Sequence, residues 1–208
     1  MTEPKTRAKQ AVRLTSDIAH WTITDDRIQY RSDAYAILDP KGTVLIDPLP
    51  LDKDAFDTLG KVTAICITRA CHQRSAWRYR RELGARIYAP QGAKDLEERP
   101  DVSFGAGEPL PGGLVAVHAP GPDEASYVFH RPLGLGALFA GDLVVHEEHG
   151  VELLPAKYVA DPVRLRASAR RVAVLRFALL CFDHGAPLIA GPQQAILAAL
   201  EAAEAASA

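Results

Sequence analysis

Four times along this chain an apolar run stops abruptly at a polar turn. The β-branched run Val62 to Ile67 ends on Thr68-Arg69-Ala70-Cys71-His72-Gln73-Arg74, and a second run ends on His118-Ala119-Pro120-Gly121-Pro122. Leu138-Phe139 leads into Ala140-Gly141-Asp142, and Cys181-Phe182 into Asp183-His184-Gly185. Short apolar runs closed by turn residues are strands. In open α/β sheets the ligand chemistry sits where strands end. If these strands are neighbours or sheet partners, their polar ends can converge on one cleft. That pattern restricts the chain to a sheet-based fold with helices outside.

The remaining elements follow from periodicity. Residues 18 to 28 alternate as a strand, with Ile18, His20 and Thr22 opposed to Ala19, Trp21 and Ile23. Residues 34–39 and 43–46 form a hairpin about Asp39-Pro40-Lys41-Gly42. A helix is expected from Asp52 to Leu59, ended by Gly60, and another from Ser75 to Leu83, ended by Gly84. A short strand, Arg86 to Tyr88, follows. A β-meander is expected between 102 and 145, with strands near 107–110, 113–118, 125–130 and 136–140. Helix 163–175, strand 177–182 and an alanine-rich helix 193–206 complete the chain. Two sheets face to face with helices outside account for this order. Residues 1–15 read as a frayed or weakly docked arm and 16–208 as one domain.

Bulk numbers narrow the function classes. The 208 residues are 48% hydrophobic and 24% charged with a net charge of -2, the balance of a globular protein without a dominant nucleic-acid or membrane surface. No apolar run is long enough to span a bilayer, and the charged N-terminus lacks an apolar signal core, so a cytoplasmic location is expected. Three cysteines do not make a disulfide framework. Cys66 and Cys181 fall in apolar runs, where a thiol is a small hydrophobe; Cys71 falls in the loop.

The ordered islands, together with Thr43-Val44-Leu45-Ile46-Asp47 and Gly84-Ala85-Arg86-Ile87-Tyr88-Ala89-Pro90, resemble the metallo-β-lactamase superfamily, which includes glyoxalase II-like thioesterases. The resemblance spans about residues 18 to 200 and implies an α/β (α+β) fold, a four-layer αβ/βα sandwich. Gly141-Asp142 resembles the family step whose carboxylate bridges two metals, and His184-Gly185 its final metal-binding histidine. The family loop reads His-x-His-x-Asp-His after a threonine. After Thr68 these ligands become Arg69, Cys71, Gln73 and Arg74, and the histidine after the Pro-Gly turn becomes Pro122. Guanidinium cannot coordinate a cation. Three protein ligands are usual at a catalytic zinc, and the mapped positions retain only Asp142 and His184.

The expected cleft therefore comprises Arg69, Cys71, His72, Gln73, Arg74, Pro122, Asp142 and His184, with no metal, and with a guanidinium as counter-charge to Asp142, mainly that of Arg74. Several residues keep more than one reading. Asp142 is a cleft carboxylate or a turn residue; His184 is a cleft group or is bonded to backbone. His72 points into the cleft or leads the helix. Cys71 is a buried or merely semi-exposed thiol, a ligand, or a thiolate activated by the arginines and the helix N-terminus. His118, His130, His146 and His149 lack ligand spacing, Asp47 supports the loop, and Arg78-Tyr79-Arg80-Arg81 is a solvated helix face.

The leading functional expectation is a repurposed, non-metal domain for a small anionic ligand, a carboxylate or phosphate, since guanidinium offers such groups paired donors. The alternative is a hydrolase of thioesters or related esters with one zinc, iron or manganese ion on Cys71, His72, Asp142 and His184. Whether catalysis remains is open, and catalytic residues are not assigned. No nucleic-acid or membrane partner is expected; self-association through sheet edges or the apolar side of the final helix (Ile196, Leu197, Leu200) is a third reading.

Overall fold

The computed structural model describes residues 3–206. The chain divides into two compact units, one running through Phe104 and including Leu110–Gly112, the other made of Gly105–Pro109 and the chain from Gly113 onward.

The first unit is built on a seven-stranded sheet ordered as the chain runs. Its strands are β1 (Val12–Arg13), β2 (Ile18–Asp25), β3 (Tyr30–Ile37), β4 (Thr43–Ile46), β5 (Val62–Cys66), β6 (Arg86–Pro90) and β7 (Val102–Phe104). The strands from β1 to β4 pair antiparallel; those from β4 to β7 pair parallel. Helices α1 (Lys53–Asp57) and α2 (Ala76–Leu83) lie in the crossovers of the parallel pairs β4–β5 and β5–β6, and β6 passes to β7 without a helix. One sheet face carries Ala19, Trp21, Ile23, Leu45, Ile65 and Ile87, packed in one core with Trp77 and Tyr79 of α2. Trp21 and Ile23 lie on the predicted side of the alternation. Tyr79 fastens the β4–α1 connection: its hydroxyl donates to Leu49 O (3.2 Å) and accepts from Leu51 N (3.0 Å). Gly84, at φ +68, ends α2 as expected.

The second unit holds a five-stranded sheet in the order β14-β11-β10-β9-β8 and a separate hairpin, β12-β13. Here β8 is Pro109–Leu110, β9 Leu114–His118, β10 Tyr127–Arg131, β11 Ala137–Phe139, β12 Val144–Glu147, β13 Gly150–Leu153 and β14 Leu179–Cys181. Strands β9, β10 and β11 are the expected meander, and β14 joins β11 in parallel. Helix α3 (Pro162–Ala173) starts on Asp161, whose carboxylate accepts from Val163 N and Arg164 N, with Pro162 in the first turn. Helix α4 (Pro192–Ala205) closes the chain. Leu165, Ala169 and Val172 of α3 pack with Ile196 and Leu200 of α4 over Val128, Leu138 and Leu180 of the sheet.

The structure corrects several sequence expectations. The strand expected over 18–28 ends at Asp25, and a hairpin returns it as β3. Gln29 takes the left-handed conformation (φ +55) that a glycine usually marks, so the turn was hidden. The hairpin β12-β13 was not foreseen. In the final helix, Ile196 and Leu200 are buried in their own unit's core and only Leu197 is exposed, so that face does not offer the association surface suggested. The solvated arginine face of α2 is an ion-pair lattice instead: Arg78 with Glu3 and Glu82, Arg80 with Asp101, and Arg81 with Glu98.

The segment read as a loose arm makes several bonds. Residues 1 and 2 lie outside the described residues, but Lys5 N donates to Asp26 Oδ1 (2.8 Å), Ala8 N to Pro50 O (3.0 Å), and Val12 pairs with His20. Among the described residues no helix is long and apolar enough to cross a membrane.

Asp25 closes the β2–β3 turn from a fully buried position, accepting from Arg27 N and Arg27 Nε, both at 2.9 Å. Burial pushes its carboxyl pKa up, but hydrogen bonds from Arg27 and the charges of Arg27 and Arg74 outweigh this and hold it below the ordinary 3.8. A carboxyl depressed in the folded state contributes stability above its unfolded pKa and loses it as pH falls through the folded one. The wild type should therefore lose unfolding free energy as acid is added below about pH 4, and Asp25→Asn should lose less over that range. Urea denaturation from about pH 6 to about pH 2.5 measures the difference; parallel curves would contradict it.

Candidate functional site

In the first unit, β4 and β5 are parallel neighbours with Ile46 opposite Cys66, so both chains leave the sheet at the same end. Asp47 follows β4 in a left-handed conformation (φ +45), rare for a residue with a side chain. Its carboxylate is fully buried. It accepts from Thr68 N at 2.8 Å and from Thr68 Oγ1 at 2.6 Å. Asp47 N donates to Cys66 O (3.0 Å) and Asp47 O accepts from Arg74 Nη1 (3.0 Å). The expected support of the loop by Asp47 is thus carried by charge-assisted bonds as well as backbone ones.

After Thr68 the chain makes a 3-10 turn, Ala70–Gln73, and then α2. Arg69 is half-buried and Cys71 exposed. Of the buried or semi-exposed thiol expected at Cys71, the buried form is corrected: the residue sits on the outer side of a turn whose opposite side is packed. His72 is buried, with Nδ1 2.9 Å from Thr68 Oγ1 and 3.4 Å from Asp47 Oδ2. It leads into the helix and points inward as well. Gln73 is buried and makes three bonds: Oε1 accepts from Trp77 Nε1 (2.6 Å) and Glu97 N (2.8 Å), and Nε2 donates to Asp95 O (3.0 Å). Arg74 is buried at an unusual backbone conformation (φ 35, ψ -112), and its Nη1 donates to the carbonyls of Asp33 (2.9 Å) and Asp47. Arg74, expected chiefly as the counter-charge of Asp142, spends this nitrogen on backbone of its own unit. Cys66, beneath the loop, is inert: burial and the nearby Asp47 push its thiol pKa upward.

In the second unit, β11 and β14 are parallel neighbours with Phe139 opposite Cys181, and their ends carry Asp142 and His184. The backbone turns at Gly141, with Leu143 N donating to Ala140 O (3.0 Å). His184 is held by its carbonyl, which accepts from His146 N (2.9 Å). Gly185 adopts φ +129, and a Cβ there would lie 2.4 Å from His146 O, so the His-Gly step requires glycine. His184 Nε2 lies 3.6 Å from Asp142 Oδ1, both side chains being largely buried. Both residues lie at turns, and their side chains meet. Pro122 is buried in the turn that docks α3, its carbonyl accepting from Ala160 N (3.3 Å).

His118, His130 and His146 bond backbone carbonyls of Glu124, Arg176 and Ala186, and His149 is exposed. Besides Asp25, two buried acids were given no role by sequence reasoning. Asp33 accepts from Arg31 Nη2 (2.8 Å) and lies 2.7 Å from His20 Nε2. Asp183 is 2% exposed and adjoins His184 in the last island.

The chain's sequence matches the family model of the metallo-β-lactamase superfamily over residues 12–181. No curated protein matches it. Among solved structures it is similar to VMB-1 at pH 5.5 (15% identity, TM-score 0.76, covering 98% of this chain and 100% of that one). It is also similar to the metallo-β-lactamase family protein TTHA1429 from Thermus thermophilus (15% identity, TM-score 0.72, covering 93% of this chain and 81% of that one). A third, TTHA1623 in a di-iron-bound form, is 24% identical with a TM-score of 0.61 over 79% of this chain and 92% of that one. These likenesses show the fold, and with the family match they establish that this chain belongs to the metallo-β-lactamase superfamily.

Proposed function

We propose that this protein is a non-metal member of its superfamily, a domain in which the former metal loop serves as structure and a small anion is the ligand. The observation that carries this reading is the fate of positions 73 and 74. Both side chains are buried, and both are engaged within the first unit, Gln73 by three hydrogen bonds and Arg74 by two backbone carbonyls. A metal ligand needs a lone pair aimed at the ion; Arg74 has none, and the amide oxygen of Gln73 is committed to two donors. With Arg69 in place of the first histidine, the loop does not suit two cations. Arg69, half-buried beside the exposed Cys71, is the loop guanidinium nearer to solvent, within reach of a carboxylate or phosphate.

A second reading, a rearranged mononuclear hydrolase, has one specific observation in its favour. Thr68 Oγ1 has a single proton, and the 2.6 Å contact to the Asp47 carboxylate is where it belongs. The oxygen then accepts from Nδ1–H of His72, and neutral His72 carries its lone pair on Nε2. A zinc, iron or manganese ligand requires that tautomer, as does a general base. In the second unit Asp142 and His184 are the groups of matching chemistry.

Elemental analysis of protein purified without added metal should find zinc, iron and manganese each far below one equivalent; a stoichiometric ion would overturn the leading reading. A thermal-shift series with carboxylate and phosphate metabolites should give a ligand whose shift is lost in Arg69→Ala. Removing Arg74 should act on stability instead: Arg74→Ala strips donors from two buried carbonyls and should lower the unfolding free energy by about 2–4 kcal/mol. An unchanged urea midpoint would show that those bonds fasten nothing. The hydrolase reading predicts thioesterase activity with added zinc, iron or manganese that falls at least about a hundredfold in Asp142→Asn, as loss of a group acting in the transition state does. Activity indifferent to that substitution would dismiss it.

A further inference from the structure

We propose that a recess in the first unit, beside the start of β5 and so at the other end of that strand from the loop that follows it, binds a small phosphate-bearing anion. The recess, about 390 Å³, lies at the β3–β4 turn and the α1–β5 connection, and is bordered by Arg13, Asp39, Lys41, Thr43, Gly60 and Lys61. That volume is in the range of small-ligand sites.

Its charge is one-sided. Arg13, Lys41 and Lys61 are exposed, and no carboxylate pairs with any of them among the described residues; Arg13 makes only a long bond from Nη2 to Thr58 O (3.5 Å). Other basic side chains of this unit are neutralised, Lys53 by Asp57 and Arg80 by Asp101. Asp39 is the one acid in the lining, and its Oδ1 already accepts from Lys41 N (2.8 Å).

The frame is fixed while the cations are not. Gly42 N donates to Asp39 O (2.9 Å) and Thr43 N to Lys61 O (2.8 Å), so the backbone of the turn has spent its donors internally. Thr43 and Leu59 form a buried floor. Gly42 is required: at φ +137, a Cβ would lie 2.3 Å from Thr63 Cγ2. What remains for a ligand is one guanidinium and two ammonium groups on long stems around a rigid rim. Three cations with a single committed carboxylate favour a multiply charged anion, and a diphosphate group offers both the charge and several acceptor oxygens.

Calorimetric titration of the full chain with inorganic pyrophosphate at low salt tests this. Saturable binding of one pyrophosphate is expected, weakened about threefold to fivefold by each of Arg13→Gln, Lys41→Gln and Lys61→Gln. The triple variant should abolish it, whereas Lys53→Gln should leave it intact. These side chains are exposed, so circular dichroism should show all variants folded. No saturable binding, an unchanged affinity in the triple variant, or citrate binding as tightly as pyrophosphate would each overturn the proposal. Loss in Arg69→Ala with the triple variant unaffected would assign the anion to the other loop and also overturn it.

Discussion

Everything that positions the loop after β5 runs through the buried carboxylate of Asp47. An isolated ionised carboxylate in a protein interior costs several kcal/mol, so it persists only where donors surround it. Here Thr68 supplies both a backbone N–H and a hydroxyl, at 2.8 and 2.6 Å. Asp47 also gives its own N–H to Cys66 O and takes Arg74 Nη1 on its carbonyl. One residue thus joins the end of β4, the end of β5, the 3-10 turn and the start of α2. Its left-handed backbone, an arrangement that costs on the order of 1–3 kcal/mol, is held in place by those four bonds.

Two further residues extend that clasp. Gln73 and Arg74 tie the loop to its own unit, the first to Trp77, Asp95 and Glu97, the second to Asp33 and Asp47. Arg74 suits this because a guanidinium donates in several directions at once and stays charged when buried. The Asp142–His184 pair has a separate origin. It follows from the parallel register of β11 and β14 and from the glycine after His184.

The sequence made the local elements legible and left the long-range partners hidden. The alternation around Trp21, the turn at Asp39-Pro40-Lys41-Gly42 and the stop at Gly84 are rules about neighbours in the chain, and the structure follows them. The β2–β3 turn was missed because Gln29 and not glycine takes the left-handed position, and β12-β13 because its strands are short and its turn, Glu148-His149, has no strong punctuation. The final helix was read as an association face because alanine blurs its apolar stripe; packing against α3 settles which side is inward. At the site, the candidate cleft positions could be listed from the islands, but the partners of Arg74 could not. Its acceptors are carbonyls 27 and 41 residues away, and backbone carbonyls leave no mark in a sequence.

The same limit applies to charge. A net charge of -2 does not describe how charge is distributed over the first unit. On α2, Arg78 pairs with Glu3 and Glu82, and Arg80 and Arg81 pair with Asp101 and Glu98 of the segment after β6. At the recess, Arg13, Lys41 and Lys61 come from three stretches of chain and meet around a rim whose one acid, Asp39, is already engaged. Exposed like charges repel one another weakly in water, so such a cluster costs little to keep and is not forced to recruit a protein carboxylate. That low cost lets the recess stay open as the paired arginines of α2 cannot, and places free positive charge on a rim that the turn at Gly42 holds rigid.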